Sequence, residues 1–153
     1  MSDPTLELNR AIFAAVRAWP ALVAMFPAGV PIHDGSPPGL DPGDGEAGYP
    51  FIRAADYDVA KVGEPLRDRA GEIFDDPADE TATLHVFARG ARRNVIARTI
   101  SDHLAEALAA ELPIEDGQKI VLGQMIGSRH FSEADGLTAH SVITFQFHIE
   151  PEG

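Results

Sequence analysis

The chain has 153 residues, of which 24 are acidic and 12 basic, so its formal net charge is −12 at pH 7. Phosphate contacts require clustered lysines and arginines, and this acidic balance therefore argues against nucleic-acid binding as the main function. The absence of cysteine excludes disulfides and zinc–thiolate sites, and no run of about 18 apolar residues is present to cross a membrane. We expect one soluble domain over residues 1–153, with no membrane partner.

The N-terminal segment predicts a helix. Asp3 followed by Pro4 is a favourable helix start, because aspartate caps the first turn and proline is tolerated at its first position. Apolar residues then recur at helical spacing, and residues 21–26 add one more helical turn. The face that this spacing predicts for the core consists of Leu8, Ile12, Ala15, Val16 and Trp19.

Residues 30–34 and 49–55 predict two strands that are separated by a long loop. The loop, residues 35–48, holds five glycines and three prolines, and this composition predicts a flexible segment. Residues 56–80 are acidic with only weak strand character. They predict an extended excursion, such as a hairpin that becomes ordered only against a partner.

Residues 81–89 predict a strand, because one face is apolar and the residues alternate with a period of two. The apolar face holds Ala82, Leu84, Val86 and Ala88, and the other face holds Thr83, His85, Phe87 and Arg89. A helix is predicted from about residue 92 to residue 112, before Pro113. Its core stripe consists of Ile96, Ile100, Leu104, Leu108 and Leu112.

The C-terminal residues predict a long two-stranded hairpin that turns at residues 133–136. If the turn centres on Asp135, Gly123 lies opposite Phe147, where the missing side chain leaves room for an aromatic ring. The same register places His130 opposite His140. Its apolar face pairs Val121 with Ile149, Met125 with Phe145 and Phe131 with Ala139, and its polar face holds Ser128, His130, His140, Thr144, Gln146 and His148.

The order of these elements predicts the fold class. It is α+β, with a mostly antiparallel sheet, two main helices packed on one face of it, and a long C-terminal β-hairpin that closes the chain.

The two histidines of the hairpin offer one candidate binding site. Imidazoles on facing strands, at His130 and His140, could begin a zinc or copper site. A third ligand at suitable spacing is not evident, because His148 lies about 26 Å farther along the strand from His140. A polar cross-strand pair is the simpler interpretation, and we expect no metal and no cofactor. A small metal- or ligand-binding domain that uses His130 and His140 stays open as an alternative function.

Catalytic motifs give no positive signal. The sequence has no nucleophile elbow, no phosphate-binding glycine loop and no zinc-protease motif. Asp41, Asp44 and Glu46 resemble a calcium loop only in composition, because the alternating oxygen ligands and the distal glutamate of an EF-hand are missing. We therefore expect a protein that is not an enzyme.

Three arginines cluster where the second long helix begins. Positive charge at a helix N-terminus opposes the helix dipole, and such a local conflict can indicate a function. The cluster could anchor an acidic partner or the acidic loops of a neighbouring copy, or it could simply be solvated before the helix. The residues predicted at subunit or partner interfaces are Arg89, Arg92, Arg93, Asp56, Asp58, Lys61, Arg67 and Arg69.

Short motifs spread along the whole chain occur in a characteristic order, with an arginine-led helix between the third and the fourth. They are Val30-Pro31-Ile32-His33-Asp34, Tyr49-Pro50-Phe51-Ile52, Leu84-His85-Val86-Phe87-Ala88 and Asp135-Gly136-Leu137-Thr138-Ala139-His140. In this order and spacing the chain resembles the tail-completion, or tail terminator, family of long-tailed bacteriophages and of phage-derived gene transfer agents. The long segments 35–48 and 56–80 depart from the simpler family pattern.

The resemblance implies a function and a set of partners. Members of the family form a homohexameric ring that caps the tail tube and joins the tail to head-completion (stopper) proteins. The lumen of the ring continues the channel through which DNA passes as cargo. The resemblance places such a protein in the virion tail, after assembly in the cytoplasm of the bacterial host. A head-completion or stopper protein is the nearest alternative within the same class.

Overall fold

The structure is a computed structural model, and it describes residues 4–41, 43–61, 78–109, 112 and 118–151. Within these residues the elements follow one another as two helices, three strands, a long helix and two long strands. The helices are α1 (Pro4–Ala18), α2 (Pro20–Met25) and α3 (Arg93–Leu108), and the strands are β1 (Ile32–His33), β2 (Phe51–Lys61), β3 (Ala78–Arg89), β4 (Gln118–Ser132) and β5 (Thr138–Pro151). None of the described helices is long and apolar enough to cross a membrane.

The five strands form one mixed sheet in the order β1-β2-β3-β5-β4. Strand β1 is parallel to β2, whereas the pairs β2–β3, β3–β5 and β5–β4 are antiparallel. The short β1 and the long β4 are therefore the two edges. Strand β3 lies at the centre of the sheet. It contains residues 81–89, for which the alternation of apolar and polar residues predicted a strand.

Both long helices pack on the same face of the sheet, and this face holds the core. Helix α3 lies on β3, β4 and β5, and α1 packs against α3 and the β1–β2 edge. Along β3, Leu84 and Val86 point into this core and are fully buried. The predicted fold class is confirmed: an α+β domain with a mostly antiparallel sheet, helices on one face and a closing hairpin. Below, the sheet face that points away from the helices is called the outer face.

The hairpin register differs from the predicted one near the turn. Met125 lies opposite Phe145 and Gly123 opposite Phe147, as predicted. A bulge between Met125 and Gly127 shifts the pairing by one residue, so that Phe131 lies opposite His140. The prediction that His130 faces His140 is therefore wrong, because a one-residue slip moves each side chain of one strand to the other face.

A second bulge changes the register at the far end of the hairpin. There Ile120, not Val121, lies opposite Ile149. The predicted pair of Phe131 with Ala139 is also wrong, because the first bulge places Ser132 opposite Ala139. Bulges add one residue to one strand only, and no periodicity in the sequence marks where they fall.

The long helix ends earlier than the apolar stripe predicted. Helix α3 stops at Leu108, and Ala109 leaves the helical conformation with φ −85° and ψ 51°. Leu112 is nevertheless buried, with 3% of its surface exposed. The apolar stripe predicted a helix that is too long, because Leu112 is buried without being part of the helix.

The structure describes only part of the two long segments, residues 35–48 and 56–80. In the loop at residues 35–48, Asp41 donates a backbone hydrogen bond to Ala47, and Tyr49 donates one to Glu46. Its predicted flexibility stays a prediction. In the excursion at residues 56–80, β2 and β3 remain paired as far as Lys61 and Ala78. Residues 62–77 lie outside the described residues.

Candidate functional site

The outer face of the sheet carries a strip of aromatic rings that crosses four strands or their flanks. Phe51 stacks on Phe87 with ring centroids 4.9 Å apart, and Phe87 stacks on His140 at 4.2 Å. Tyr49 extends the strip at one end and Phe131 at the other, at 5.4 Å and 4.7 Å from their neighbours. Because the strands alternate, the strip lies opposite the helix-covered core and forms a second packed layer.

Guanidinium groups lie over these rings. Arg53 lies 5.2 Å from the centroid of Phe87, and Arg129 lies 5.9 Å from that of Phe131. Cations at such distances are attracted to the ring face and shield it from water. The outer face is therefore locally basic on a chain whose overall charge is strongly negative.

Two buried histidines form a polar connection within the strip. Nδ1 of His85 lies 2.8 Å from Nε2 of His140, and Nδ1 of His140 lies 2.6 Å from a carboxylate oxygen of Glu133. A neutral His140 with its proton on Nδ1, toward the carboxylate, accepts at Nε2 from His85, and the other tautomer reverses this direction. The one-residue shift of β4 removes the His130–His140 pair that the sequence suggested, and the pairing of β3 with β5 brings His85 to His140 instead.

Burial lowers the pKa of His140, and the Glu133 carboxylate opposes this effect, while Arg53 and Arg129 lower the pKa further. The neutral imidazole is therefore the form that the fold favours. A neutral His140 can take either role in the hydrogen bond with His85, whereas a doubly protonated ring could only donate.

His130 lies on the other side of the sheet. Its Nδ1 is 2.7 Å from the hydroxyl of Ser141, and burial, followed by the nearby Arg98, lowers its pKa while Asp102 opposes this. It lines a groove of about 310 Å³ between α3 and the hairpin, together with Asn94, Arg98, Ser132 and Ser141. Among the described residues, no group of three or more histidine, aspartate or glutamate side chains could hold a metal ion.

The lowered pKa values of His130 and His140 predict how the stability of the fold depends on pH. Because His130 and His140 have lowered pKa values in the fold, the unfolded chain binds protons more readily, and the free energy of unfolding falls as pH drops through about 6.5. The slope is at most about 1.4 kcal/mol per pH unit for each histidine. Urea unfolding at pH 7.5 and pH 5.5 measures it, and His140→Gln is expected to flatten the dependence. Greater stability at pH 5.5 than at pH 7.5 would contradict this assignment.

Arg89 ties three separate segments together at one end of the outer face. Its Nη1 donates to the carbonyl oxygens of Gly43 and Gly45, both at 2.7 Å, and its Nε donates to Thr138 at 2.9 Å. Its Nη2 lies 3.4 Å from the carboxylate of Asp135, and the side chain is 8% exposed. The guanidinium therefore fixes the glycine-rich loop and the hairpin turn to the end of β3. Below, Arg89 with these partners is called the arginine clamp.

Asp135 is the acidic partner in this clamp and also organises the turn. Its Oδ1 accepts from the backbone N–H groups of Leu137 and Thr138, at 2.8 Å and 3.0 Å. The hydrogen bond from Leu137 is the largest of the effects that lower the pKa of Asp135, and those from Thr138 and the charge of Arg89 act in the same direction. Gly136 completes the turn with φ 71°. An aspartate–glycine pair is what such a turn requires.

The other residues predicted at interfaces fall in different places. Arg92 is exposed, just before α3, and Arg93 donates weakly to the carbonyl oxygens of Gly90 and Gly136, at 3.3 Å and 3.5 Å. The backbones of Asp56, Asp58 and Lys61 lie in or beside β2, and Arg67 and Arg69 lie outside the described residues. The structure thus brings Arg89 and Arg93 together at the hairpin turn and leaves Arg92 facing solvent.

Sequence reasoning missed the aromatic strip, the His85–His140 pair and the clamp. Part of the signal was present, because the alternation of β3 already put His85, Phe87 and Arg89 on one face. The sequence did not identify the neighbouring strand, since the pairing of β3 with β5 joins residues at least 49 positions apart, as in the contact of His85 with His140.

Comparisons with known proteins identify the fold. No protein-family model matches the chain, and no curated protein sequence matches it significantly. Among solved structures, it is similar to a chain of the virion of a native gene transfer agent particle, with 18% identity, 98% of this chain and 99% of that chain covered, and a TM-score of 0.74. It is also similar to the gp17 protein of bacteriophage SPP1, with 22% identity, 97% and 93% coverage and a TM-score of 0.54. The chain shares its fold with both over nearly its full length.

Proposed function

We propose that the chain is a structural virion protein, a tail terminator that assembles as a homohexameric ring. The ring caps the tail tube, joins the tail to head-completion proteins and lets DNA pass through its lumen. The observation that carries this proposal is the full-length similarity to a chain of a gene transfer agent virion. In this role the protein works by contact alone, in the tail of a phage or gene transfer agent particle assembled in the bacterial cytoplasm.

The charge of the chain supports the same role. A ring through which DNA slides must not hold the duplex, and phosphate binding grows with each lysine or arginine that neutralises a phosphate. A chain with a net charge of −12 repels the duplex overall. Its basic side chains on the outer face lie over aromatic rings of the same chain, which limits their reach toward a duplex.

The proposed contacts with other subunits and with the tube use the residues that the sequence singled out. Arg92 is exposed and free to meet an acidic surface, whereas Arg89 and Arg93 hold the turn beside it. The strand segment with Asp56, Asp58 and Lys61, and the stretch with Arg67 and Arg69, are proposed to face a neighbouring copy or the tube.

Tail tubes that lack a cap provide the direct test. The purified protein is mixed with such tubes, and their ends are imaged by negative-stain electron microscopy. We expect one end of most tubes to carry a ring with sixfold symmetry. Binding to the head-completion protein without any decoration of tube ends would instead favour a stopper, and binding to neither would contradict the proposed function.

A charge reversal at Arg92 tests the exposed arginine. We expect Arg92→Glu to raise the protein concentration needed for half-occupancy of tube ends about tenfold, since like charges across an interface cost about 1.4 kcal/mol. Arg17→Glu, at an exposed arginine on α1, is the matched control and should bind as the unmodified protein does. Equal occupancy for both variants would remove Arg92 from the interface.

A further inference from the structure

The sheet ends in two edges that the described part of the chain leaves largely open. On one side, β4 pairs with β5 alone. On the other side, β1 pairs only with Ile52 and Arg53, so that residues 54–61 of β2 have no second strand beside them among the described residues. Unpaired strand edges present a row of backbone donors and acceptors that can accept another strand.

The β4 edge has the side chains of a contact surface. Among the described residues, six large apolar side chains are exposed, and three of them lie on β4: Met125, Ile126 and Phe131. A fourth, Leu137, lies in the adjacent turn. Ile126 occupies a bulge, has no partner residue on β5 and is 51% exposed. Exposed edges are usually protected by charges, prolines or bulges; residues 123–128 of β4 carry no charge and no proline, and their one protecting feature is the bulge at Ile126.

The two edges are complementary in charge. Strand β4 contains Lys119 and Arg129 and no acidic residue. The open segment of β2 contains Asp56 and Asp58 beside a single Lys61. A β4 edge placed beside a β2 edge would bring opposite charges together, whereas two β4 edges would bring like charges together.

The strand directions are also compatible. Three successive antiparallel pairings, from β2 through β3 and β5 to β4, make β4 run opposite to β2. Repetition of the chain around an axis that lies roughly along the strands keeps each direction unchanged. The β4 edge of one copy would then meet the β2 edge of the next in antiparallel orientation, and the alternation of the sheet would continue from copy to copy.

We propose that β4 of one copy pairs antiparallel with residues 54–61 of β2 in the next copy, so that the sheets of neighbouring subunits form one continuous sheet. This inference rests on the proposed function only in requiring that the chain assembles with itself. The contact is heterologous, and such contacts close into rings when the rotation between copies allows it.

A lysine in the middle of the edge tests the surface. Ile126→Lys places a charge in the proposed seam, and we expect the concentration needed for half-assembly, measured by light scattering and native mass spectrometry, to rise at least tenfold. Val95→Lys, at a similarly exposed apolar residue on α3, is the matched control and should stay within twofold of the unmodified protein. Circular dichroism verifies that both variants are folded.

Cysteine cross-linking tests which edges meet, and the natural chain has no cysteine to interfere. Protein with Ile126→Cys is mixed with protein carrying Val59→Cys, or Tyr57→Cys or Lys61→Cys to cover the register, and then oxidised. We expect one of these mixtures to give a disulfide-linked dimer, because paired strands bring Cα atoms within the roughly 4.4–6.8 Å that a disulfide needs. Val95→Cys in place of Ile126→Cys should give none.

Two outcomes overturn the inference without deciding the proposed function. Efficient self-linking of Ile126→Cys alone would indicate a β4–β4 contact, and normal assembly of Ile126→Lys would place the seam elsewhere. In both cases the tube-capping experiment still tests the terminator role independently. A chain that stays monomeric both in solution and on tubes would overturn the seam and the proposed hexameric ring together.

Discussion

Arg89→Met is expected to lower the free energy of unfolding by about 3 kcal/mol, because it removes the centre of the arginine clamp. Arg89 joins the glycine-rich loop, the hairpin turn and the end of β3. It donates to Gly43, Gly45 and Thr138 and lies over the ring of Tyr49 at 4.3 Å. Methionine keeps much of the length and contact, but it leaves the carbonyl oxygens of Gly43 and Gly45 without this donor and removes the positive charge beside the Asp135 carboxylate.

Thermal unfolding provides the measurement, and a loss of this size lowers Tm by roughly 6–12 °C in a chain of this length. Arg89→Lys should recover only part of the loss, since an ammonium group cannot reproduce the planar fork that bonds loop and turn together. Arg92→Met is the matched control, because Arg92 is exposed nearby, and its Tm should change little. If Arg89→Met were as stable as Arg92→Met, the clamp would have no structural role.

The effect should also be local. Amide hydrogen exchange of Asp41 and Tyr49, whose N–H groups bond within the glycine-rich loop, is expected to accelerate more in Arg89→Met than exchange in the middle of β5. Regions held by few contacts open at lower free energy than the core, and the clamp supplies several of the polar contacts that hold this loop. Uniform acceleration along the chain would indicate that Arg89 stabilises the fold as a whole.

The sequence predicted the fold wherever one residue pattern is enough to define an element. The alternation at residues 81–89 and the aspartate–glycine pair at Asp135 and Gly136 identified β3 and the hairpin turn. The opposition of Gly123 and Phe147 was also correct, because the missing Cβ and the large ring are complementary in volume. Local pattern and tertiary packing agree at these positions.

The candidate site could not be predicted because it depends on relations between strands. One bulge at Ile126 exchanges His130 for Phe131 opposite His140, and the separate pairing of β3 with β5 places His140 beside His85. The arginine cluster stands out in the sequence because its positive charge opposes the helix dipole. The hydrogen bond of Arg89 to a loop more than 40 positions away depends on the fold, and no local pattern predicts it. Charge and spacing identify such residues, but only the fold assigns their partners.

Gly123→Ala is expected to destabilise the fold by about 3 kcal/mol, although alanine is ordinarily a mild replacement for glycine in a strand. Gly123 is buried where the end of α3 meets β4. A Cβ there would overlap the carbonyl oxygen of Leu108 and lie 2.7 Å from a ring carbon of Phe147, which is itself fully buried. Neither group can move aside freely, because one is backbone at the end of the helix and the other is a packed core ring.

Gly127→Ala is the matched control for this prediction. Gly127 lies on the same strand, is exposed, and has no atom within 4 Å of the position that a Cβ would take. The free energy of unfolding of Gly127→Ala should therefore lie within about 0.5 kcal/mol of that of the unmodified protein, as for other substitutions at uncrowded surface positions. Urea midpoints of the two variants, measured side by side, separate crowding at one position from any general cost of alanine in β4. Equal midpoints would mean that α3 and Phe147 withdraw from β4 at little cost, and the contact of the helix end with the sheet would then be loose rather than packed.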